Sequence, residues 1–226
     1  MDHIEILFED NHLLVVVKPP NILVQSDDTG DIDLLTILKA GIAKRHNKKG
    51  NVFLGLVHRL DRPVGGVMVF ARTSKSASRL SEQIRTHKFS KIYHAIINGT
   101  LRPKDKLFDF LKKDCKRNMV SVFKSSKNNR ALEQGYKEAR LSYTVVAKKQ
   151  NLNLVKIRLQ TGRSHQIRVQ FASRHTPLWG DNRYGKGVAG EQIALWATEL
   201  AFVHPTTKEH LIFTTSFPNH QPWNKF

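Results

Sequence analysis

Apolar positions along the chain fall into short β-rich runs interrupted by three stretches of helical spacing. Leu13 to Val17 is an unbroken apolar run with the length of a buried strand. Lys18-Pro19-Pro20-Asn21 ends it, because proline cannot donate to a ladder. Over 33–46, Leu34, Leu35, Ile37, Leu38 and Ile42 recur at helical spacing, with Asp33 placed to cap the first turn. Two β-rich runs, 54–62 and 66–71, flank Pro63-Val64-Gly65-Gly66 and set Asp61 near a strand end that enters a tight connection. Residues 74–87 bring Ala77, Leu80, Ser81 and Ile84 to one helical face behind a Thr73 or Ser74 cap, and Ser90 to Gly99 reads as a strand.

The 101–131 stretch shows little periodicity and reads as a loop. Beyond it, 139–149 and 152–160 form a hairpin turning at Gln150-Asn151. In its second arm Asn153, Val155, Ile157 and Leu159 alternate with Leu154, Lys156, Arg158 and Gln160. A helix is predicted at about 164–174. Two closing strands, 193–204 and 210–217, are joined by the polar turn His204 to Glu209. No internal repeat, low-complexity tract or linker interrupts the pattern, so a single domain over 1–226 is expected.

Charge changes the picture more than hydrophobicity does. The hydrophobic fraction of 40% is ordinary, but 37 Lys and Arg against 19 acids give a formal +18, which makes a polyanion the natural partner. The cations are spread along the chain, as on a folded phosphate-reading face and unlike a membrane-surface helix. Residues 101–131 carry ten Lys or Arg against three Asp and form a basic insertion. Cys115 is the single cysteine, which rules out an intrachain disulfide and a cysteine-cluster zinc site. An acidic N-terminal segment and the lack of an apolar run of membrane length lead to the expectation of a cytoplasmic protein without membrane association.

Several chemistries lack their groups. Walker A and paired-glycine dinucleotide fingerprints are absent, as is a helix with two spaced histidines for zinc. The thinly scattered acids do not suggest a two-metal nuclease, and Asp61 has no second carboxylate between Asp33 and Glu82 for ordinary glycoside hydrolysis. Asp61 itself lies between Arg59 and Arg62, a setting that keeps a carboxylate ionised and suited to act as nucleophile or base. A structural ion pair is the commoner reason for such a setting. Thr161 to Gln170, TGRSHQIRVQ, offers Arg163, His165, Gln166 and Arg168 at a helix start, for phosphate or simply for solvent. Tyr93, on the 90–99 strand, could stack on an extruded base or fill core.

Together these segments resemble the RluA-type RNA pseudouridine synthases. The signature His58-Arg59-Leu60-Asp61 continues here as HRLDRPVGGVMVFARTSK. ILFEDNHLLVVVKPP, KIYHAIING, TGRSHQIRVQ, GDNRYG and IALWATELAFVHPTTKE resemble further family segments in family order, over essentially the whole chain. The resemblance implies an α+β fold, with a mixed and mostly antiparallel central sheet flanked by helices and loops. It also implies isomerisation of uridine to pseudouridine in structured ribosomal or transfer RNA without metal or organic cofactor. Asp61 is then the nucleophile, Tyr93 packs against the target base, Arg168 pairs with Asp61, and Arg59 helps hold the nucleotide out of its helix. His58, Arg62, Arg163, His165 and Gln166 are expected on the RNA side.

Three routes stay open for Asp61: attack at ribose carbon 1′, a glycal route, or addition to the uracil ring. The turn departs from the family pattern, with Val64-Gly65-Gly66 where Thr-Ser-Gly is common, and Gln170 stands where a histidine often follows. Many relatives carry an N-terminal S4 domain. This chain enters the catalytic segments within about a dozen residues, so RNA recognition is expected from the catalytic fold and its loops, 101–131 among them. A monomer without an obligate protein partner is expected. The alternative is a catalytically silent RNA-binding or assembly protein of the same fold.

Overall fold

The structure is a computed structural model that describes residues 4–123, 128–187 and 191–226. In chain order its strands are β1 (Ile6–Glu9), β2 (Leu13–Lys18), β3 (Gly55–Leu56), β4 (Gly65–Ala71), β5 (Ser90–Asn98), β6 (Lys104–Asp114), β7 (Met119–Val122), β8 (Lys137–Lys149), β9 (Leu152–Leu159), β10 (Leu195–Val203) and β11 (His210–Thr214). The helices are α1 (Leu34–Arg45), α2 (Ser74–Arg85), α3 (Asn128–Glu133) and α4 (Gln166–Ala172). The α+β class and the antiparallel pairings agree with expectation. Two compact units result, residues up to Ser90 with Ala197–Ser216, and Lys91–Trp196 with Phe217–Phe226.

In the first unit β2 pairs antiparallel with both β1 and β4, which is why its apolar run is continuous. Leu13, Leu14, Val15 and Val16 are all fully buried, and so is every residue of β4. The strand order is β1-β2-β4-β10, with β11 on β10 and β3 on one end of β4. Helix α2 closes one face of this sheet, its Leu80 packing among Val15, Val67, Val69 and Phe202. Burying a side chain of that size contributes about 1.5–3 kcal/mol. Both predicted caps are present, since Asp33 accepts from the Thr36 amide and Thr73 from the Ser76 amide. Helix α1 buries Leu34, Leu38 and Ile42, one residue per turn.

The 54–62 run is a correction to the sequence reading. Only Gly55 and Leu56 are strand, paired to Ala71 and Phe70. One edge of β4 is taken by β2 and the other, past this short pairing, by β10, so 57–62 has no ladder to join and becomes loop. Strand β1 was missed because four half-buried residues are too short to show a period.

In the second unit the order is β5-β9-β8-β6-β7, with every neighbouring pair antiparallel. The predicted hairpin turns where expected, with Gln150 in the left-handed region at φ 55°. Val155 and Ile157 are buried while Lys156 and Arg158 are exposed. Helix α4 packs on the inner face: its Phe171 ring lies 5.2 Å from Tyr143, and Val169 joins Leu111, Val120 and Ala139. Here 101–131 is a second correction. It is mostly the long hairpin β6–β7 followed by α3, with 124–127 outside the described residues. Adjacent buried Phe110 and Leu111 broke the period-two pattern that would have announced β6.

Candidate active site

Asp61 lies half-buried on the connection between β3 and β4. Its carbonyl accepts from the Val64 amide at 2.9 Å, closing a tight turn over Arg62 and Pro63. Lys18 pins that turn from below. Fully buried at the end of β2, its Nζ donates to the carbonyls of Pro19 at 2.9 Å, Arg62 at 3.0 Å and Val64 at 2.8 Å. Three carbonyls match the three donors of an ammonium. Burial pulls the Lys18 pKa down to about 7, the charge of Asp61 opposing that fall and Arg62 adding to it.

His58 ties the same loop to β4, its Nε2 accepting from the Val69 amide at 3.1 Å. That bond places the proton of a neutral ring on Nδ1. Arg62 turns to Asp31 at 2.7 Å and donates to the Asn21 carbonyl at 3.2 Å, while Arg59 is exposed. After the turn, Gly66 takes φ 122°, and a Cβ there would overlap the Ala197 carbonyl and lie 2.5 Å from its nitrogen. Only glycine fits.

In the second unit Arg168 projects from α4 and is 5% exposed. Its Nε donates to Asp181 Oδ2 at 2.9 Å and its Nη2 to Oδ1 at 2.8 Å, a bidentate pair within the protein interior. Asp181 Oδ1 also accepts from the amides of Arg183 and Tyr184, so one carboxylate both shapes the 180–185 turn and aims the guanidinium. Burial works to raise the Asp181 pKa, but Arg168 and those two amides outweigh it and hold the carboxyl below its usual range. Tyr93 on β5 is 6% exposed, and its register opposite Ile157 puts it on the face that carries Tyr143 and α4.

Residues 12–173 match the family model described as RNA pseudouridylate synthase. The chain belongs to that family. It is 34% identical over 95% of its length to an uncharacterized RNA pseudouridine synthase of Bacillus subtilis, covering 69% of that protein. It is 29% identical to the ribosomal large subunit pseudouridine synthase D of Zymomonas mobilis, over 95% of this chain and 69% of that one. It is also 29% identical to the tRNA pseudouridine synthase C of Vibrio cholerae, over 92% and 89%. The human RNA pseudouridylate synthase domain containing 4 structure superposes with a TM-score of 0.75 at 23% identity, over 95% of this chain and 88% of that one, a likeness of fold. The protein is thus an RNA pseudouridine synthase, an isomerase.

The 161–168 segment of the synthase is more internally bonded than its sequence suggested. Gln166 Oε1 accepts from the Arg163 amide at 3.0 Å and the Thr161 hydroxyl at 2.8 Å, and its Nε2 donates to the Arg140 carbonyl at 3.1 Å. The amide offered to phosphate is therefore already bonded to a side chain. His165, left-handed at φ 50°, meets the Tyr184 hydroxyl at 2.7 Å through Nδ1, and the same hydroxyl accepts from the Val120 amide at 2.8 Å. Arg163 donates through Nε to the Glu138 carbonyl at 2.8 Å. The Tyr184 ring also lies 5.3 Å from the Arg168 guanidinium.

Sequence reasoning about the synthase missed Lys18, Asp181 and Tyr184. Lys18 read only as the stop of a strand, although a lysine directly continuing five apolar residues was a signal that it is buried with them. Asp181 and Tyr184 were visible as the turn GDNRYG but carried no role. Gly180 there has φ 69° and a Cβ would lie 2.8 Å from the Gln192 carbonyl carbon, so the turn that aims Asp181 depends on it.

Proposed function

We propose that the synthase isomerises uridines in structured ribosomal or transfer RNA, acting as a single catalytic domain with Asp61 as nucleophile on a base extruded from its stack. The observation that carries this reading is Asp61 in the His-Arg-Leu-Asp run, on a turn whose carbonyls a buried lysine holds. A carboxylate that must meet one carbon atom needs such a fixed backbone. The relatives named for ribosomal and transfer RNA supply the substrate class.

In the reaction the bond from uracil N1 to ribose carbon 1′ breaks and a bond from uracil carbon 5 to carbon 1′ forms. The proton on carbon 5 is lost and N1 gains one, so no second substrate enters. Tyr93 packs against the turned base and Arg168 pairs with Asp61. Asp181 holds Arg168 through Nε and Nη2, which fixes the orientation of the guanidinium that this pairing requires. Extruding the nucleotide costs about a few kcal/mol, offset by phosphate contacts from a chain of formal charge +18. Arg59, His58, Arg62, Arg163 and His165 belong to the RNA-contacting set in this proposal. Gln166, expected there from sequence, is buried with its side-chain amide bonded to Thr161, Arg163 and Arg140, and holds the 161–166 turn instead.

The test uses RNA labelled with tritium at uracil carbon 5. The wild-type chain releases tritium in the presence of chelator and leaves the RNA uncut, while Asp61→Asn binds RNA and releases none. Release by Asp61→Asn at the wild-type rate would overturn the nucleophile assignment. RNA binding without release by the wild type would establish the silent RNA-binding protein instead.

A further inference from the structure

The sheet of the second unit has two faces of opposite character. The inner one holds Tyr143 and Ile157 and is packed by α4. On the other, Lys104 and Lys106 of β6 stand opposite Thr144 and Ser142 of β8, which stand opposite Lys156 and Arg158 of β9. Residues directly opposite across paired strands share a face. All four cations are exposed. With strands about 4.8 Å apart and alternate residues about 7 Å apart, they outline a patch of roughly 10 by 7 Å.

A fifth cation extends the patch. Arg140 stands opposite Phe108, and its guanidinium lies 5.1 Å from that ring, which is 42% exposed. This stacking holds the arginine extended over the sheet. The acids among the described residues of this face are Glu138, bonded to Arg140 at 2.7 Å, and Asp114 at the hairpin's end. At the β5 edge of the same face, Phe217 covers His94 at 5.8 Å. Burial, and then Lys156, lower the His94 pKa, which keeps that ring from adding charge near neutrality.

We propose that this outer sheet face is a second RNA-binding surface, which grips the phosphate backbone of a folded substrate at a distance from the target uridine. Charge complementarity selects the occupant, because five cations on a rigid sheet suit polyphosphate, and the synthase acts on RNA. The proposal rests on that activity and goes beyond it. Tyr93 lies on the opposite face of the same sheet, so RNA on this surface is reached only by a substrate large enough to extend past the sheet edge. The surface thereby favours long folded RNA over an isolated stem-loop.

The test compares the wild type with a variant carrying Lys104→Gln, Lys106→Gln, Lys156→Gln and Arg158→Gln. Each is given an unmodified full-length ribosomal RNA transcript and a short stem-loop that the wild type modifies. Each neutralised phosphate contributes about 0.7–0.9 to the slope of log Kd against log salt. The variant's slope on the long RNA is expected to fall by about 3. Its kcat on either RNA and its Kd for the stem-loop stay within about twofold of wild type, which also shows that it folds. A second variant, Lys106→Glu with Arg158→Glu, which face each other across Ser142, weakens long-RNA binding at least tenfold in low salt. An unchanged slope on the long RNA, as for a surface that docks an acidic protein, or equal weakening on both RNAs, would overturn the proposal. Failure of the functional reading is distinct, since the wild type would then release no tritium from either RNA.

Discussion

Replacing Asp181 with asparagine removes one charge from the Arg168 pair without changing its volume. The pair is buried on both sides, with side-chain exposures of 6% and 0%. Taking one partner from such a pair strips a buried guanidinium of its bidentate counter-charge and costs about 3–5 kcal/mol. Asparagine can still accept from the Arg183 and Tyr184 amides, but its NH2 group would face an arginine that only donates. For a chain of this length about 1 kcal/mol shifts Tm by 2–4 °C, so a fall on the order of 10 °C is expected, with turnover lost alongside. Arg168→Met with Asp181→Asn separates the two effects, because the asparagine oxygen still accepts from the Arg183 and Tyr184 amides. With both buried charges replaced by neutral groups and the turn amides still bonded, this double variant recovers stability to within about 2 kcal/mol of wild type. Its tritium release should stay as low as that of Arg168→Met alone. Urea unfolding followed by circular dichroism reads the first quantity and tritium release the second. A cost below about 0.5 kcal/mol for Asp181→Asn would refute the buried-charge reasoning. Wild-type turnover by the double variant would remove Arg168 from the catalytic set.

Two further predictions concern the Asp61 loop. Folded Lys18 releases its proton near pH 7, whereas an unfolded lysine holds it to about 10.4. Between these values the unfolded chain binds more protons, so unfolding free energy rises with pH, by up to about 5 kcal/mol from this group. Lys18→Met should flatten that rise in urea titrations from pH 7 to 10, and equal slopes for variant and wild type would contradict the assignment. Gly66→Ala combines a positive φ with backbone overlap at Ala197 and should cost about 4 kcal/mol or more; thermal unfolding within 2 °C of wild type would show that the turn can move.

What the chain's own pattern determined about this protein was whatever depends on neighbours in sequence. The continuous LLVVV run announced a strand buried on both faces, Asp33 and Thr73 announced helix starts, and Lys156 and Arg158 alternating with Val155 and Ile157 announced a hairpin with one wet face. The ordered motifs were by themselves sufficient to point to RNA pseudouridine synthases. Tertiary structure decided what depends on which edge and which partner is available. Residues 57–62 carry strand-forming residues yet are loop, because β2 and β10 occupy the edges of β4. Residues 104–114 look like a basic loop yet are strand, because β8 offers a ladder whatever the period of the apolar residues. Lys18 and Asp181 are separated by 44 and 13 positions from Arg62 and Arg168, the residues whose carbonyl and guanidinium they hold. Hydrogen bonds and ion pairs form between groups that folding brings within about 3 Å, and spacing along the chain does not encode that distance.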